Sequence, residues 1–121
     1  MEEKSEEIQT ESFDLEYLDI TLSDVDRIRA RIKTAPRSNR PTFVFQLECK
    51  FGDKSDWVAV FRVDDFDGAP HADILHPDGT KEKIWLDDLG DNRKNMMEAQ
   101  KFFKERRQQE RQRYESELNR K

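Results

Sequence analysis

The sequence predicts an α+β domain in which an antiparallel β-meander of four to five strands packs against one long C-terminal α-helix. Residues 42–51 and 57–63 alternate apolar and polar side chains, which is the period of half-buried strands. Two turn-forming sequences, at 52–56 and 76–80, separate the strand-like segments. From residue 92 onward, strong helix formers take over. A run of strands followed by a helix favours an α+β architecture.

The chain is short and highly charged. It has 121 residues, of which 40% are charged and 34% are hydrophobic, so it can bury one small core. We expect an acidic disordered leader at 1–12, a single α+β domain at 13–104 and a charged helical extension at 105–121. A large two-lobed enzyme is excluded by length.

Cysteine content and hydropathy indicate the cellular location. Cys49 is the single cysteine, which excludes an internal disulfide and a multi-cysteine zinc site. It lies on the apolar side of its predicted strand, so we expect it to be a core residue. No run approaches the ~20 apolar residues that span a bilayer. The N-terminus is acidic where a signal peptide would be basic and then apolar. We therefore predict a cytoplasmic protein with no membrane association.

The first strands are the least certain elements. Residues 13–22 alternate imperfectly and predict a short strand. Residues 23–34 fit a helix capped by Ser23, but they also fit a strand. We prefer the interpretation in which Arg27–Thr34 form a strand. Alternating side chains would then place the basic residues on one side and the apolar residues on the inward side. The outward bases would be Arg27, Arg29, Arg31 and Lys33.

The central strands and the last hairpin follow from alternation and turn chemistry. Residues 42–51 place five apolar side chains on one parity, and residues 57–63 continue the meander after a turn. Residues 71–75 and 83–86 flank the second turn, where Pro77 sets the backbone and Gly79 supplies a positive φ. The five inward residues of the first strand are Phe43, Phe45, Leu47, Cys49 and Phe51.

The C-terminal helix divides into two halves. Asp91 or Asn92 can cap it, and an apolar stripe through Phe103 should cover the sheet. Beyond Lys104 only Tyr114 and Leu118 are apolar, so we expect this half to project into solvent or to contact a partner. Residues 93–121 carry ten bases and five acids, whereas residues 1–26 carry ten acids and one base. The basic C-terminal segment indicates a possible phosphate-binding surface, and the acidic N-terminal segment could compete for that surface within the same chain.

The segment from Trp57 to Leu86 predicts the functional site. It contains both histidines, and titratable groups crowd around a turn centred on Gly68. In a strand that starts near His71, the His71 and Asp73 side chains share a face, which gives an imidazole and carboxylate pair able to move a proton. Arg62, a polar residue on an apolar strand, could hold a phosphate from the same face. We predict catalysis by His71, Asp73 and Arg62 without a metal or cofactor.

A metal site is the less favoured interpretation of the same segment. Asp64, Asp65, Asp67, His71 and Asp73 offer oxygen donors and one imidazole. The calcium-loop pattern does not fit, because Val63 and Ile74 would occupy two ligand positions. Aspartates in such a turn more commonly accept hydrogen bonds from backbone amides. The sequence therefore predicts no metal.

The motif Phe-Asp-Gly-Ala-Pro-His-Ala-Asp-Ile at 66–74, followed by His-Pro-Asp-Gly-Thr at 76–80, resembles a small, largely uncharacterised archaeal and bacterial family. That family is broadly similar to the TumE-type toxins of toxin–antitoxin pairs. The resemblance spans residues 27–86 and the start of the last helix. It implies functional roles for Asp67, Gly68, His71 and Asp73.

Two hypotheses for function follow. In the first, a toxin-like protein acts on RNA as a metal-independent ribonuclease, with Arg29 and Arg31 binding phosphates beside the His71 cluster. In the second, the protein is a non-catalytic module whose basic helix, including Arg106 and Arg107, binds nucleic acid or an antitoxin-like protein. The sequence does not predict the oligomeric state.

Overall fold

The computed structural model of the chain describes residues 15–35, 40–52, 56–66 and 68–120. The predicted leader at 1–12 lies outside these residues, as does Asp67. The elements in chain order are β1 (Leu15–Thr21), β2 (Asp26–Ala35), β3 (Arg40–Cys49), β4 (Val58–Asp64), β5 (His71–Leu75), β6 (Lys81–Trp85) and α1 (Asn92–Leu118).

The strands form one antiparallel meander that α1 covers on one face. The six strands lie in the sheet in the order in which they occur in the chain, and α1 contacts the central strands β3, β4 and β5. The α+β class, the antiparallel sheet and the C-terminal helix are confirmed. The predicted count of four to five strands is wrong, because the sheet has six. Within the described residues, no helix combines the length and apolar character needed to cross a bilayer.

The two uncertain N-terminal segments are both strands. β1 pairs with β2 over seven residues, and β2 pairs with β3 over ten, so the preferred strand at Arg27–Thr34 is confirmed. Ser23 does not cap a helix. Its Oγ accepts hydrogen bonds from the backbone amides of Val25 and Asp26 at 3.2 and 3.1 Å, which holds the turn between β1 and β2. A hydroxyl that bonds nearby amides supports such a turn as well as a helix start.

The core lies between the sheet and α1, as the apolar parity of β3 predicts. Phe43, Phe45, Leu47 and Cys49 are all buried. The Phe103 ring of α1 stacks on Phe61 of β4, with centroids 5.5 Å apart and planes within 6°. Burying an aromatic side chain of this kind contributes about 1.5–3 kcal/mol.

A β-bulge interrupts the alternation of β4. Leu47 pairs with Phe61, whereas the next residue of β3, Glu48, pairs with Ala59, so Val60 is the extra residue. The prediction that residues 57–63 alternate without interruption is therefore wrong, because Val60 is completely buried. Arg62 and Asp64, beyond the bulge, point away from α1.

The C-terminal half of α1 packs on the sheet, so the expectation that it projects into solvent is wrong. Tyr114 stacks on Phe51 with centroids 5.3 Å apart. Arg111 Nε donates to Asp26 Oδ1 at 2.6 Å. At the start of the helix, Asp91 accepts a hydrogen bond from the Lys94 amide at 3.0 Å and is the N-cap.

Cys49 is a core residue, as predicted. Its side chain is completely buried between the sheet and the helix. Burial, followed by a hydrogen bond with Asp26, raises the pKa of the Cys49 thiol to about 12. The reactive thiolate is therefore scarce at neutral pH, which is typical of a structural cysteine.

His76, in the β5–β6 turn, contacts one carboxylate at the end of α1 and one on β6. Its Nδ1 lies 2.8 Å from Glu117 Oε1, and its Nε2 lies 2.8 Å from Glu82 Oε2. The hydrogen bond with Glu117 raises the pKa of His76, helped by Glu82 and opposed by burial and by Arg113. The imidazolium form is thus favoured in the folded protein.

This contact predicts a pH-dependent contribution to stability. Because the folded-state pKa of His76 lies above its unfolded value, the contribution is complete below about pH 6.5 and is lost as the pH rises through the folded pKa. We expect His76→Gln to lower the unfolding free energy by about 1 kcal/mol or less near pH 6, and by a smaller amount near pH 9. Urea denaturation of both proteins across this range measures the difference. A cost that stays constant with pH would contradict the charged form of His76.

Candidate functional site on the open sheet face

The sheet face opposite α1, here called the open face, carries two adjacent rows of side chains. Strand register places them across β2 to β6, because residues directly opposite each other in antiparallel strands share a face. The first row is Arg31, Val44, Asp64, His71 and Trp85, and the second row is Arg29, Gln46, Arg62, Asp73 and Lys83. The predicted site residues Arg29, Arg31, Arg62, His71 and Asp73 therefore lie on one surface.

Arg62 is held at the centre of this face by its neighbours. Its Nε donates to Gln46 Oε1 at 2.9 Å, and one terminal nitrogen lies 3.7 Å from Asp73 Oδ2. Gln46 Nε2 in turn donates to Glu48 Oε2 at 2.6 Å. Arg27 forms an ion pair of 2.6 Å with the same carboxylate. The network fixes the guanidinium of Arg62 and compensates the negative charge of Glu48.

His71 contacts two carboxylates through one nitrogen. Its Nε2 lies 3.1 Å from Asp64 Oδ1 and 3.9 Å from Asp73 Oδ2. Its Nδ1 lies 3.1 Å from the carbonyl oxygen of Ala69, and because a carbonyl only accepts, Nδ1 carries a proton. The structure brings His71, Asp73 and Arg62 together, but the carboxylate closest to the imidazole is that of Asp64.

Sequence reasoning placed Asp64 among the possible metal donors but left it out of the predicted catalytic residues. It follows Arg62 at an interval of two, so the same alternation that turns Arg62 outward also turns Asp64 outward. Its pairing with His71 is visible only once the β4–β5 register is known. Asp64 Oδ1 also accepts a hydrogen bond from the Phe66 amide at 3.0 Å, so it supports the turn that follows β4.

The histidine and its two carboxylates are buried. The side chains of Asp64, His71 and Asp73 are each only 3% exposed. The indole of Trp85 stands edge-on to the imidazole, with centroids 5.3 Å apart, and is itself 57% exposed. Trp85 therefore covers His71, and in this arrangement the imidazole cannot contact a substrate.

The turn between β4 and β5 is built by backbone contacts. Gly68 adopts a φ of +90°, which residues with side chains rarely adopt, and its amide donates to Asp65 O at 3.1 Å. Asp65 Oδ1 accepts a hydrogen bond from the Phe43 amide at 3.1 Å, which ties the turn to β3. Gly68 thus shapes the turn, whereas the role expected for Asp67 falls outside the described residues.

A depression of about 340 Å³ lies on the open face beside this cluster. The guanidinium of Arg31 lies 5.2 Å from the centroid of the Phe66 ring, which is 54% exposed at the rim. The lining residues are Arg29, Ala30, Arg31, Val44, Gln46, Glu48, Arg62 and Phe66. A concave, mainly cationic surface with an exposed ring suits a ligand that has both phosphate and aromatic groups.

Arg106 and Arg107 belong to α1 and lie on the other side of the sheet. Arg106 donates to Glu110 at 3.4 Å and its guanidinium lies 5.0 Å from the centroid of Phe102. Arg107 lines a separate cavity with Arg111 and other residues of α1. The structure therefore does not bring these two arginines to the surface that holds Arg29 and Arg31.

Comparison with known proteins shows the family of this chain. No curated protein and no solved structure matches it. A family described as a domain of unknown function, DUF7718, matches residues 3–120. That description assigns no activity, so the resemblance to TumE-type toxins stays a prediction. Because the match covers nearly the whole sequence, the chain belongs to the DUF7718 family.

Proposed function

We propose that the open face binds single-stranded RNA. The observation that supports this proposal best is the depression in which Arg29, Arg31 and Arg62 surround one space with Phe66 at its rim. Guanidinium groups pair well with phosphate oxygens, and an exposed ring offers a surface on which a base can stack. The depression combines both kinds of contact.

The positive charge on the open face is confined to that surface. The whole chain has a formal net charge of −5, so general attraction to RNA is not expected. On the open face, Glu48 is paired with Arg27 and the buried Asp73 lies close to Arg62. Arg29 and Arg31 on β2 and Lys83 on β6 then add positive charge to the same surface. A phosphate backbone that crosses the strands would contact these bases in turn.

Exposed aromatic side chains favour single strands over duplexes. Phe66 follows β4 and Trp85 ends β6, so the two rings lie at different points on the open face. Base stacking on such rings is worth about 1–3 kcal/mol per base and requires that the base be free of a duplex. We therefore expect unpaired RNA to bind more tightly than double-stranded RNA.

In this proposal the open face binds RNA, and His71 does not cleave it. A general acid or base must reach the substrate, and the imidazole is buried beneath Trp85. A toxin role with an antitoxin-like partner rests on the sequence resemblance and stays a prediction. The partner-binding role of the basic helix also stays a prediction. Removing residues 105–121 would disturb the sheet, because Arg111, Arg113 and Tyr114 contact it.

Fluorescence anisotropy with a labelled, unstructured RNA oligonucleotide tests the proposal. We expect Phe66→Ala to weaken binding by about tenfold, since one stacked base is lost. We expect Arg31→Ala to weaken binding severalfold and to reduce the slope of log affinity against log salt by about 0.7, the value for one phosphate on a single strand.

Matched controls come from the helix side of the molecule. Arg107→Ala makes the same change of charge away from the open face, and Met97→Ala removes an exposed apolar side chain from α1. Neither control should alter the affinity by more than about twofold at the salt concentration of the assay. Undetectable RNA binding, or equal losses in the controls and the open-face variants, would refute the proposal.

A further inference from the structure

We propose that Asp64, His71 and Asp73 form a binding site for one divalent transition-metal ion of the Mn²⁺ and Zn²⁺ class. The site lies beside the depression on the open face. It needs no RNA, so it stands independently of the proposed function. Three observations carry it: the convergence of the donor atoms, the orientation of the imidazole, and a buried carboxylate oxygen without a partner.

The donor atoms lie close together, at separations slightly wider than those of a metal coordination shell. One ligand atom from each of the three residues lies within 4.8 Å of the others. Two of the separations are 3.1 Å, from His71 Nε2 to Asp64 Oδ1, and 3.9 Å, from His71 Nε2 to Asp73 Oδ2. Metal–ligand distances of about 2.0–2.2 Å place neighbouring ligands roughly 3 to 3.5 Å apart. Small side-chain movements would therefore bring all three donors onto one ion.

The imidazole of His71 is oriented as a metal ligand usually is. Its Nδ1 proton is donated to Ala69 O at 3.1 Å, so Nε2 is the nitrogen that faces the carboxylates. Metal-binding histidines almost always donate their second ring nitrogen to a carbonyl or carboxylate in this way. A lone pair on Nε2 would repel the oxygen of Asp64 unless a positively charged species lay between them.

A proton on Nε2 would satisfy only part of the cluster. That proton would be donated to Asp64, the closer carboxylate, and would leave Asp73 unchanged. Asp73 Oδ1 is buried and has no hydrogen-bond partner, although buried oxygens are almost always paired. The oxygen of Asp73 that faces His71 is Oδ2, and an ion held by both oxygens of Asp73 would also give Oδ1 a partner. The cluster as a whole therefore fits an ion better than it fits a single proton.

Lys81 is the group that an ion would displace. Its Nζ lies 3.9 Å from Asp73 Oδ2, and its side chain is 56% exposed, so it can turn toward solvent. Arg62, at 3.7 Å from the same oxygen, is held by Gln46 and would stay in place. The ion and the ammonium group therefore compete for one carboxylate. Removing Lys81 should make metal binding tighter.

The donor set selects the class of ion. Two carboxylates and one imidazole suit Mn²⁺, Zn²⁺ and neighbouring ions, whereas Ca²⁺ and Mg²⁺ prefer oxygen ligands alone. Three protein ligands also leave coordination positions for water. We therefore expect Mn²⁺ to bind with a stoichiometry of one and Mg²⁺ to compete poorly.

Titration of tag-free, chelator-treated protein with Mn²⁺ tests the site, because the EPR signal of aqueous Mn²⁺ is lost on binding. We expect Asp73→Asn to weaken binding by at least about tenfold, since a ligand is lost. We expect Lys81→Met to strengthen binding severalfold. Lys81→Met distinguishes the loss of a ligand from misfolding, because a misfolded protein would not bind Mn²⁺ more tightly.

His76→Gln is the matched control. His76 also contacts two carboxylates, but these lie on opposite ring nitrogens and do not converge. The control should bind Mn²⁺ with the affinity of the original chain. The proposal is overturned by the absence of Mn²⁺ binding at millimolar concentration, by unchanged binding in folded Asp73→Asn, by binding in Lys81→Met no tighter than in the original chain, or by loss of binding in His76→Gln.

Discussion

Arg113→Met is expected to lower the free energy of unfolding by about 3–5 kcal/mol, because Arg113 joins α1 to the sheet through a buried carboxylate and two backbone carbonyls. Its Nε donates to Glu110 Oε1 at 2.9 Å. Its two terminal nitrogens donate to the carbonyl oxygens of Leu75 at 2.7 Å and Val60 at 3.1 Å. One guanidinium thus donates hydrogen bonds to the helix, to the end of β5 and to the bulge in β4.

Four acceptors would lose this donor in the variant: the carboxylates of Glu110 and Glu117 and the carbonyl oxygens of Leu75 and Val60. The Glu110 side chain is only 5% exposed, and without Arg113 it would keep only Arg106, at 3.4 Å. Val60 is the extra residue of the bulge, and its carbonyl oxygen accepts a hydrogen bond from the guanidinium. A buried charge or carbonyl without a partner costs more than the bond that it replaces.

Urea denaturation of a short series of variants measures this effect. Arg113→Lys keeps the charge and three donors, but these share one nitrogen and cannot reach the separate acceptors that Nε and the two terminal nitrogens contact, so an intermediate loss is expected. Adding Glu110→Gln to Arg113→Met should recover part of the stability, because the uncompensated charge is removed. Arg120→Met, at the exposed end of the helix, is the control. A loss below about 1 kcal/mol in Arg113→Met would show that water replaces the guanidinium.

The parts of the fold that were predicted correctly are those in which one periodic signal is strong. Residues 43–49 of β3 alternate, with Phe43, Phe45 and Leu47 inward, and no helical pattern competes with this alternation. The β5–β6 turn contains Pro77 and Gly79, and Gly79 adopts the expected positive φ of 90°. Local chemistry was sufficient in both places.

The ambiguous and the incorrect predictions both lie where distant residues decide the structure. Ser23 can cap a helix or a turn, and only pairing with β1 and β3 selects the turn. The charged end of α1 has few apolar residues, but it packs through Arg111 and Arg113, whose acceptors lie on other strands. Propensity and periodicity describe neighbours along the chain and carry no information on such contacts.

The candidate site was likewise predicted in part from the sequence. Alternation was enough to place His71 and Asp73 on one face, and Arg62 joins them across the β4–β5 pair. The burial of His71 depends on Trp85 from β6, whose position beside the imidazole follows from the β5–β6 register. A sequence pattern can therefore identify which side chains share a face, but it does not reveal which of them are covered.

Phe103→Ala is expected to destabilise the protein by about 3–5 kcal/mol, the usual cost of truncating a buried phenylalanine. Phe103 is almost completely buried and stacks on Phe61, and its ring also lies 6.1 Å from that of Phe45. The aromatic contact between α1 and the central strands would be lost, and a cavity would form between them. Urea denaturation followed by tryptophan fluorescence reports on the sheet, because both tryptophans lie outside α1.

Met97→Ala supplies the matched control, since Met97 lies on the same helix but is largely exposed, and its truncation should cost less than about 0.5 kcal/mol. If α1 and the sheet form one cooperative unit, Phe103→Ala will shift fluorescence and helical circular dichroism to the same lower urea concentration. If α1 were an independent appendage, only the dichroism would shift. Separate transitions would contradict a fold in which the helix stabilises the strands that carry His71 and Asp73.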